Sequence, residues 1–78
     1  MEKQTPTPEK AISAAFDSVN LINRLILETA DDKKKSNVER NVKHLELMLT
    51  KEFFTEALTE SQRTEIEMCI TAGNTYIA

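Results

Sequence analysis

Residues 8–29 read PEKAISAAFDSVNLINRLILET, and their spacing decides the fold. Wound at about 100° per residue, Lys10, Ser13, Asp17, Asn20, Arg24 and Glu28 fall on one narrow polar strip. Ala11, Ile12, Ala15, Phe16, Val19, Leu21, Ile22, Leu25, Ile26 and Leu27 fill the remaining arc, interrupted by Ser18 and Asn23. That apolar arc covers about two-thirds of the circumference, wider than a helix with one packed side needs. Such a helix must touch more than one neighbour. It is either the centre of a bundle or part of a seam between copies.

The start of this helix is written locally. Thr7 supplies a side-chain oxygen for an otherwise unpaired backbone N–H, and Pro8 fits the first helical position because its missing N–H is not needed there. Glu9 then faces the positive end of the helix dipole. Residues 1–7 are polar and read as a short disordered arm.

Outward from this helix the turn-formers are few. The 78 residues hold one Gly and two Pro, too few for the repeated tight reversals of a β-sandwich or barrel. The expected fold is all-α, a three-helix up-down-up bundle in one domain over 8–78, with helices at about 8–29, 32–54 and 59–72. Two starts compete for helix two. Ser36–Glu39 fits a capping box, and Thr29–Asp32 offers Thr29 as cap. A start near Asp32 is favoured because no Gly or Pro breaks the stretch, which makes Lys33–Lys35 a solvated face. Val38, Val42, Leu45, Leu49 and Phe53 then form the buried stripe of helix two. Thr59 and Gln62 form a second capping box and open helix three. Gly73 is placed as its stop, although Ile77 stays in phase with Ile66 and Ile70 should the helix continue.

Charge and composition exclude several roles. The formal net charge is −3, and the thirds 1–30, 31–54 and 55–78 carry −1, +1 and −3. No segment makes a basic stripe, and helix three opens with Glu60, Ser61, Gln62 and Arg63, so nucleic acid is not expected as a partner. No run approaches the roughly 18 apolar residues of a membrane span. Residues 1–6 lack the apolar run of a secretory signal, so a cytoplasmic setting is the expectation.

No constellation for catalysis stands out. His44, the one histidine, has no partner at a metal-ligand spacing. Cys69, the one cysteine, lies on the apolar side of helix three and reads as a small core residue. The seven glutamates Glu39 to Glu67 lack the Glu-x-x-His motif of carboxylate-bridged metal bundles. Glu39 and Lys43 read as an exposed i,i+4 pair. No enzyme activity, cofactor, metal or small-molecule substrate is expected.

The candidate site is therefore a surface. Leu47 and Phe54 sit seven residues apart on the side of helix two away from its stripe. They mark a second interface, unless helix two is sandwiched or Phe54 has left helical geometry. With Leu21 and Leu25 from the wide arc of helix one, they are the expected protein-interface residues. A chain this short buries little core by itself, which also favours a dimer. Met68 reads as a single exposed residue.

Three segments carry a resemblance. Asn41-Val-Lys-His-Leu-Glu-Leu-Met-Leu49, Lys51-Glu-Phe-Phe54 and Ala72-Gly-Asn-Thr-Tyr76 resemble a cadence in small uncharacterised proteins of tailed phages of marine bacteria. It covers about half of the chain and contains no catalytic motif. The resemblance implies a viral accessory protein acting in the host cytoplasm, and transfers no functional residue.

Two functions follow as expectations. The first is a small non-enzymatic interaction or assembly protein that self-associates as a homodimer or binds a protein partner. The alternative is an acidic regulator that inhibits a host enzyme, using the acidic last third with Ile66, Ile70, Tyr76 and Ile77.

Overall fold

A computed structural model describes residues 7–78, and the regular structure in them is entirely α-helical. There are four helices rather than three: α1 (Pro8–Leu25), α2 (Asp32–Met48), α3 (Glu52–Ala57) and α4 (Glu60–Ile77). Apart from Thr7, the expected arm at 1–7 lies outside the described residues.

The N-terminal cap of α1 forms as its sequence dictates. The Lys10 amide donates to Thr7 Oγ1 at 3.2 Å, with Pro8 in the first turn. The helix ends at Leu25, about one turn short of the expected Thr29. Leu27 N–H bonds Arg24 O and Glu28 N–H bonds Leu25 O, the tighter pattern of a closing turn. Of the carbonyls beyond it, one is taken up by a distant side chain and one by a near one. Tyr76 Oη donates to Glu28 O at 3.1 Å, and Lys34 Nζ donates to Thr29 O at 3.3 Å.

Helix α2 starts at Asp32, as favoured, but its cap is Asp31 rather than Thr29 or Ser36. Asp31 Oδ1 accepts from the Lys34 amide at 2.8 Å. Lys34 Nζ then bridges Asp31 Oδ2 at 3.3 Å and Glu28 Oε1 at 3.4 Å. One lysine of the run thus ties the α1–α2 connection together instead of merely facing solvent. The hydrogen bond from Lys34 holds the Asp31 carboxyl below the usual carboxylate range, and the Asp31 partner pushes the Lys34 ammonium up.

Helix α2 does not reach Phe54. It stops at Met48, where the Thr50 hydroxyl donates to Leu47 O at 2.6 Å and competes with the helical ladder. Lys51 is extended, and α3 begins at Glu52. This break, made without Gly or Pro, reverses the roles of two neighbours. Phe54 is 0% exposed and belongs to the core, whereas Phe53 is 38% exposed. The expected stripe holds at Val38, Val42 and Leu45, all buried in α2, and fails at Phe53 because the helical phase is reset in between.

Helix α4 opens with the expected capping box. Gln62 N–H donates to Thr59 Oγ1 at 3.0 Å, and Thr59 N–H donates to Gln62 Oε1 at 2.9 Å. It then runs through Gly73 to Ile77 instead of stopping near Ala72. Gly73 is buried with ordinary helical geometry, and no glycine has positive φ. Its role is close packing. A β-carbon there would lie 2.6 Å from Val42 Cγ2 and 3.3 Å from Val38 Cγ1.

The core takes residues from every helix: Ala15, Val19 and Ile22 from α1; Val38, Val42 and Leu45 from α2; Phe54 from α3; Ile66 and Cys69 from α4. Helix α1 packs against α2, α3 and α4, so its wide apolar arc is met largely within one chain. Ascending pairs Cys69 with Val19, Gly73 with Ile22 and Tyr76 with Glu28 make α4 parallel to α1. Among the described residues, no helix is long and apolar enough to cross a membrane.

Candidate functional site

The four expected interface residues do not form one surface. Phe54 is fully buried and is removed from the set, because α3 turns its ring into the core against α1. Leu25 is half-buried and packs on the core, and Leu21 is half-buried on α1. Leu47 alone stands in solvent, 56% exposed. The apolar set of the regulator reading also turns inward: Ile66 is buried, and Ile70, Tyr76 and Ile77 pack against the core.

The structure shows a different feature. A shallow open hollow of about 850 Å³ lies on the exposed face of α4, where α1 touches it at Asn23. Asn23 lines it from α1, and Ser61, Thr64, Met68, Cys69 and Ala72 line it from α4. Glu60 and Glu65 add two carboxylates. A second, shallower hollow of about 360 Å³ adjoins it on α4, where Thr64, Met68 and Ala72 line both.

The hollow exists because Ser61, Thr64 and Ala72 are small on this face of α4. Ser61, Thr64 and Ala72 leave room on both sides of Met68, whose side chain is 68% exposed. Cys69 lies beside it, buried, with its thiol directed at Val19 O at 3.7 Å. Burial pushes the Cys69 thiol up, and the nearby Glu65 charge pushes it the same way. A nucleophilic thiol needs the opposite environment. Cys69 is thus a core side chain, as its position in the sequence suggests.

Electrostatically the hollow is one-sided. Arg63, the sole basic residue after Lys51, pairs with Glu67 at 3.4 Å. Among the described residues, neither Glu60 nor Glu65 makes an ion pair. Elsewhere Lys43 pairs with Glu39 at 3.6 Å, the expected exposed i,i+4 contact.

Sequence reasoning passes over this face because Met68 looks solitary on its helix. The available signal is the run Ser61, Thr64, Met68 and Ala72, small side chains flanking one large apolar one at helical spacing. Phe53 and Leu27 are likewise exposed, and both follow from helix ends that the sequence does not mark. Among the described residues, no group of three or more His, Cys, Asp or Glu is placed to share a metal ion.

In comparisons with known proteins, no family model, curated protein or solved structure matches this chain.

Proposed function

We propose that this chain is a small non-enzymatic helical interaction protein that receives another polypeptide at the hollow on α4. The observation that supports this reading is Met68, a large flexible apolar side chain held exposed in a shallow hollow beside buried Cys69. A thioether on an open face is suited to adaptable protein contacts. The hollow is shallow and open, whereas small-molecule sites enclose most of their ligand.

A photo-reactive residue placed at position 68 of the full chain tests the proposal. The expected result is a stoichiometric polypeptide adduct at that position, lost when the same residue is placed at exposed Glu39 instead. Reaction with water alone, in cells that make the protein, would remove the hollow as an interface.

Self-association is a second reading, supported by Leu47 and Phe53, which are exposed on either side of the break between α2 and α3. Light scattering decides it. A mass above 8.9 kDa that rises with concentration and falls in Leu47→Asp favours a dimer; a constant 8.9 kDa dismisses it. The regulator reading keeps the acidic surface of α4 and loses its apolar set to the core. A viral accessory role in a host cytoplasm is supported by the sequence resemblance alone.

A further inference from the structure

We infer that residues 74–77, the last turn of α4, form a strap that opens below global unfolding, and that its opening loosens the connection between α1 and α2 at residues 26–31.

The two ends of α4 are held differently. Its start has the reciprocal cap of Thr59 and Gln62. Its last turn has no basic side chain to meet the negative end of the helix dipole. Gly73, Asn74 and Thr75 in succession are weak helix formers. The hydroxyls of Thr71 and Thr75 donate back to Glu67 O and Thr71 O, each at 3.1 Å, a bonding that slightly weakens a helix. Local sequence therefore does little to hold this turn. What holds it is tertiary: Tyr76 and Ile77 packed on the core, and the hydroxyl bond of Tyr76.

That bond is the first link of a polar chain that ends at the start of α2. Tyr76 Oη donates to Glu28 O at 3.1 Å. The Glu28 carboxylate pairs with Lys34 Nζ at 3.4 Å. Lys34 Nζ also meets Thr29 O and Asp31 Oδ2, both at 3.3 Å. Asp31 Oδ1 in turn accepts the Lys34 amide and caps α2. Every link but the first lies within residues 28–34, so these contacts shape the connection locally. The Tyr76 bond alone ties that shaped connection to α4, across 48 residues of sequence. Glu28 is the joint, because its carbonyl faces the strap and its carboxylate faces Lys34. Coupling of this kind is reciprocal: whatever Tyr76 does for the connection, Lys34 does for the strap.

Amide hydrogen exchange of the full chain, read residue by residue, tests the strap. Two amides report on it. Ala78 N–H bonds Asn74 O at 3.1 Å, and Lys35 N–H bonds Asp31 O at 2.9 Å. Their protection is expected to be at least about tenfold lower than that of Val19 and Val42 in the core. Tyr76→Phe keeps the ring and removes only the donor. It should lower protection at both reporters by about two- to fivefold, as the loss of one modest hydrogen bond allows. The amides of Thr55 and Arg63, which open with α3 and with the start of α4, should not change. Lys34→Met acts from the other end and should lower protection at Ala78. In the Tyr76→Phe background it should lower Ala78 no further, because the link is already cut.

Protection at Ala78 and Lys35 equal to that of Val42 would overturn the strap outright. A Tyr76→Phe effect confined to Ala78, or absent from both reporters, would overturn the coupling. An equal fall at Thr55 and Arg63 would overturn it as well, since the variant would then loosen the whole fold. Lys34→Met without effect at Ala78 would have the same consequence.

Discussion

Gly73 of α4 seats directly against Val42 of α2, so closely that a β-carbon on Gly73 would lie 2.6 Å from Val42 Cγ2. A glycine that looks like a helix stop is instead a point of close approach between two helices. Val42 has little freedom to yield, because a β-branched side chain in a helix holds essentially one rotamer.

Gly73→Ala is therefore expected to destabilise the fold despite its better helix propensity. Overpacking costs about 1–3 kcal/mol, and the propensity gain returns about 1 kcal/mol. A net loss of about 1 kcal/mol is expected in urea unfolding. Combining it with Val42→Ala relieves the clash, so the double variant should be more stable than the summed single effects. Strict additivity would show that the contact is not tight.

Phe54→Ala should cost about 3–5 kcal/mol, the range for emptying a buried aromatic site. Phe53→Ala should stay below about 1 kcal/mol, since that ring is partly in solvent. Comparable losses from both would place the break between α2 and α3 elsewhere. Phe54→Asp is expected to unfold the chain rather than to alter its assembly.

Asp31 and Ser36 separate the two starts of α2. Asp31→Ala should lower the thermal midpoint by removing the cap, and Ser36→Ala should leave it unchanged. The pH dependence carries a definite sign. The Asp31 carboxyl is lowered in the folded chain, so its contribution is present above the unfolded carboxylate value near about 4 and is lost as pH falls below it. The Lys34 ammonium is raised, so its contribution is present below the unfolded lysine value near about 10.4 and is lost as pH climbs through the folded one. Asp31→Asn should flatten the acid limb, and Lys34→Met the alkaline limb. Unchanged limbs in both variants would dismiss this ion pair as a contributor.

Cys69 should resist alkylation at pH 8, because burial and Glu65 both disfavour its thiolate. Glu65→Gln removes the second cause and should speed the reaction modestly, with unfolding free energy unchanged. An unaffected rate would mean that the Glu65 charge does not reach the Cys69 thiol.

The parts of the fold legible in the sequence are those made within a few residues. Thr7 with Pro8, and Thr59 with Gln62, hold donor and acceptor within one turn, so these helix starts depend on nothing distant. The stripe Val38, Val42 and Leu45, and the scarcity of Gly and Pro, likewise determine an all-helical chain. The wide arc of α1 correctly requires several neighbours, but it does not say whether they come from one chain or two.

Tertiary structure decides how far α4 runs and which faces remain open. Helix α1 stops where carbonyls of Glu28 and Thr29 find Tyr76 and Lys34, and α4 continues because Gly73 fits against Val42 and Val38. The break at Leu49–Lys51 turns Phe54 inward and leaves Phe53 outside. The hollow at Met68 is on the exposed side of α4, which the packing of Ile66 and Gly73 into the core leaves in solvent. Tyr76 with Glu28 and Gly73 with Val42 join residues far apart in the chain, so their energies enter only once the helices have met, whereas Lys34 with Thr29 and Thr50 with Leu47 are local bonds. Local capping and periodicity settle that this chain is helical, and packing settles which of its surfaces stay exposed.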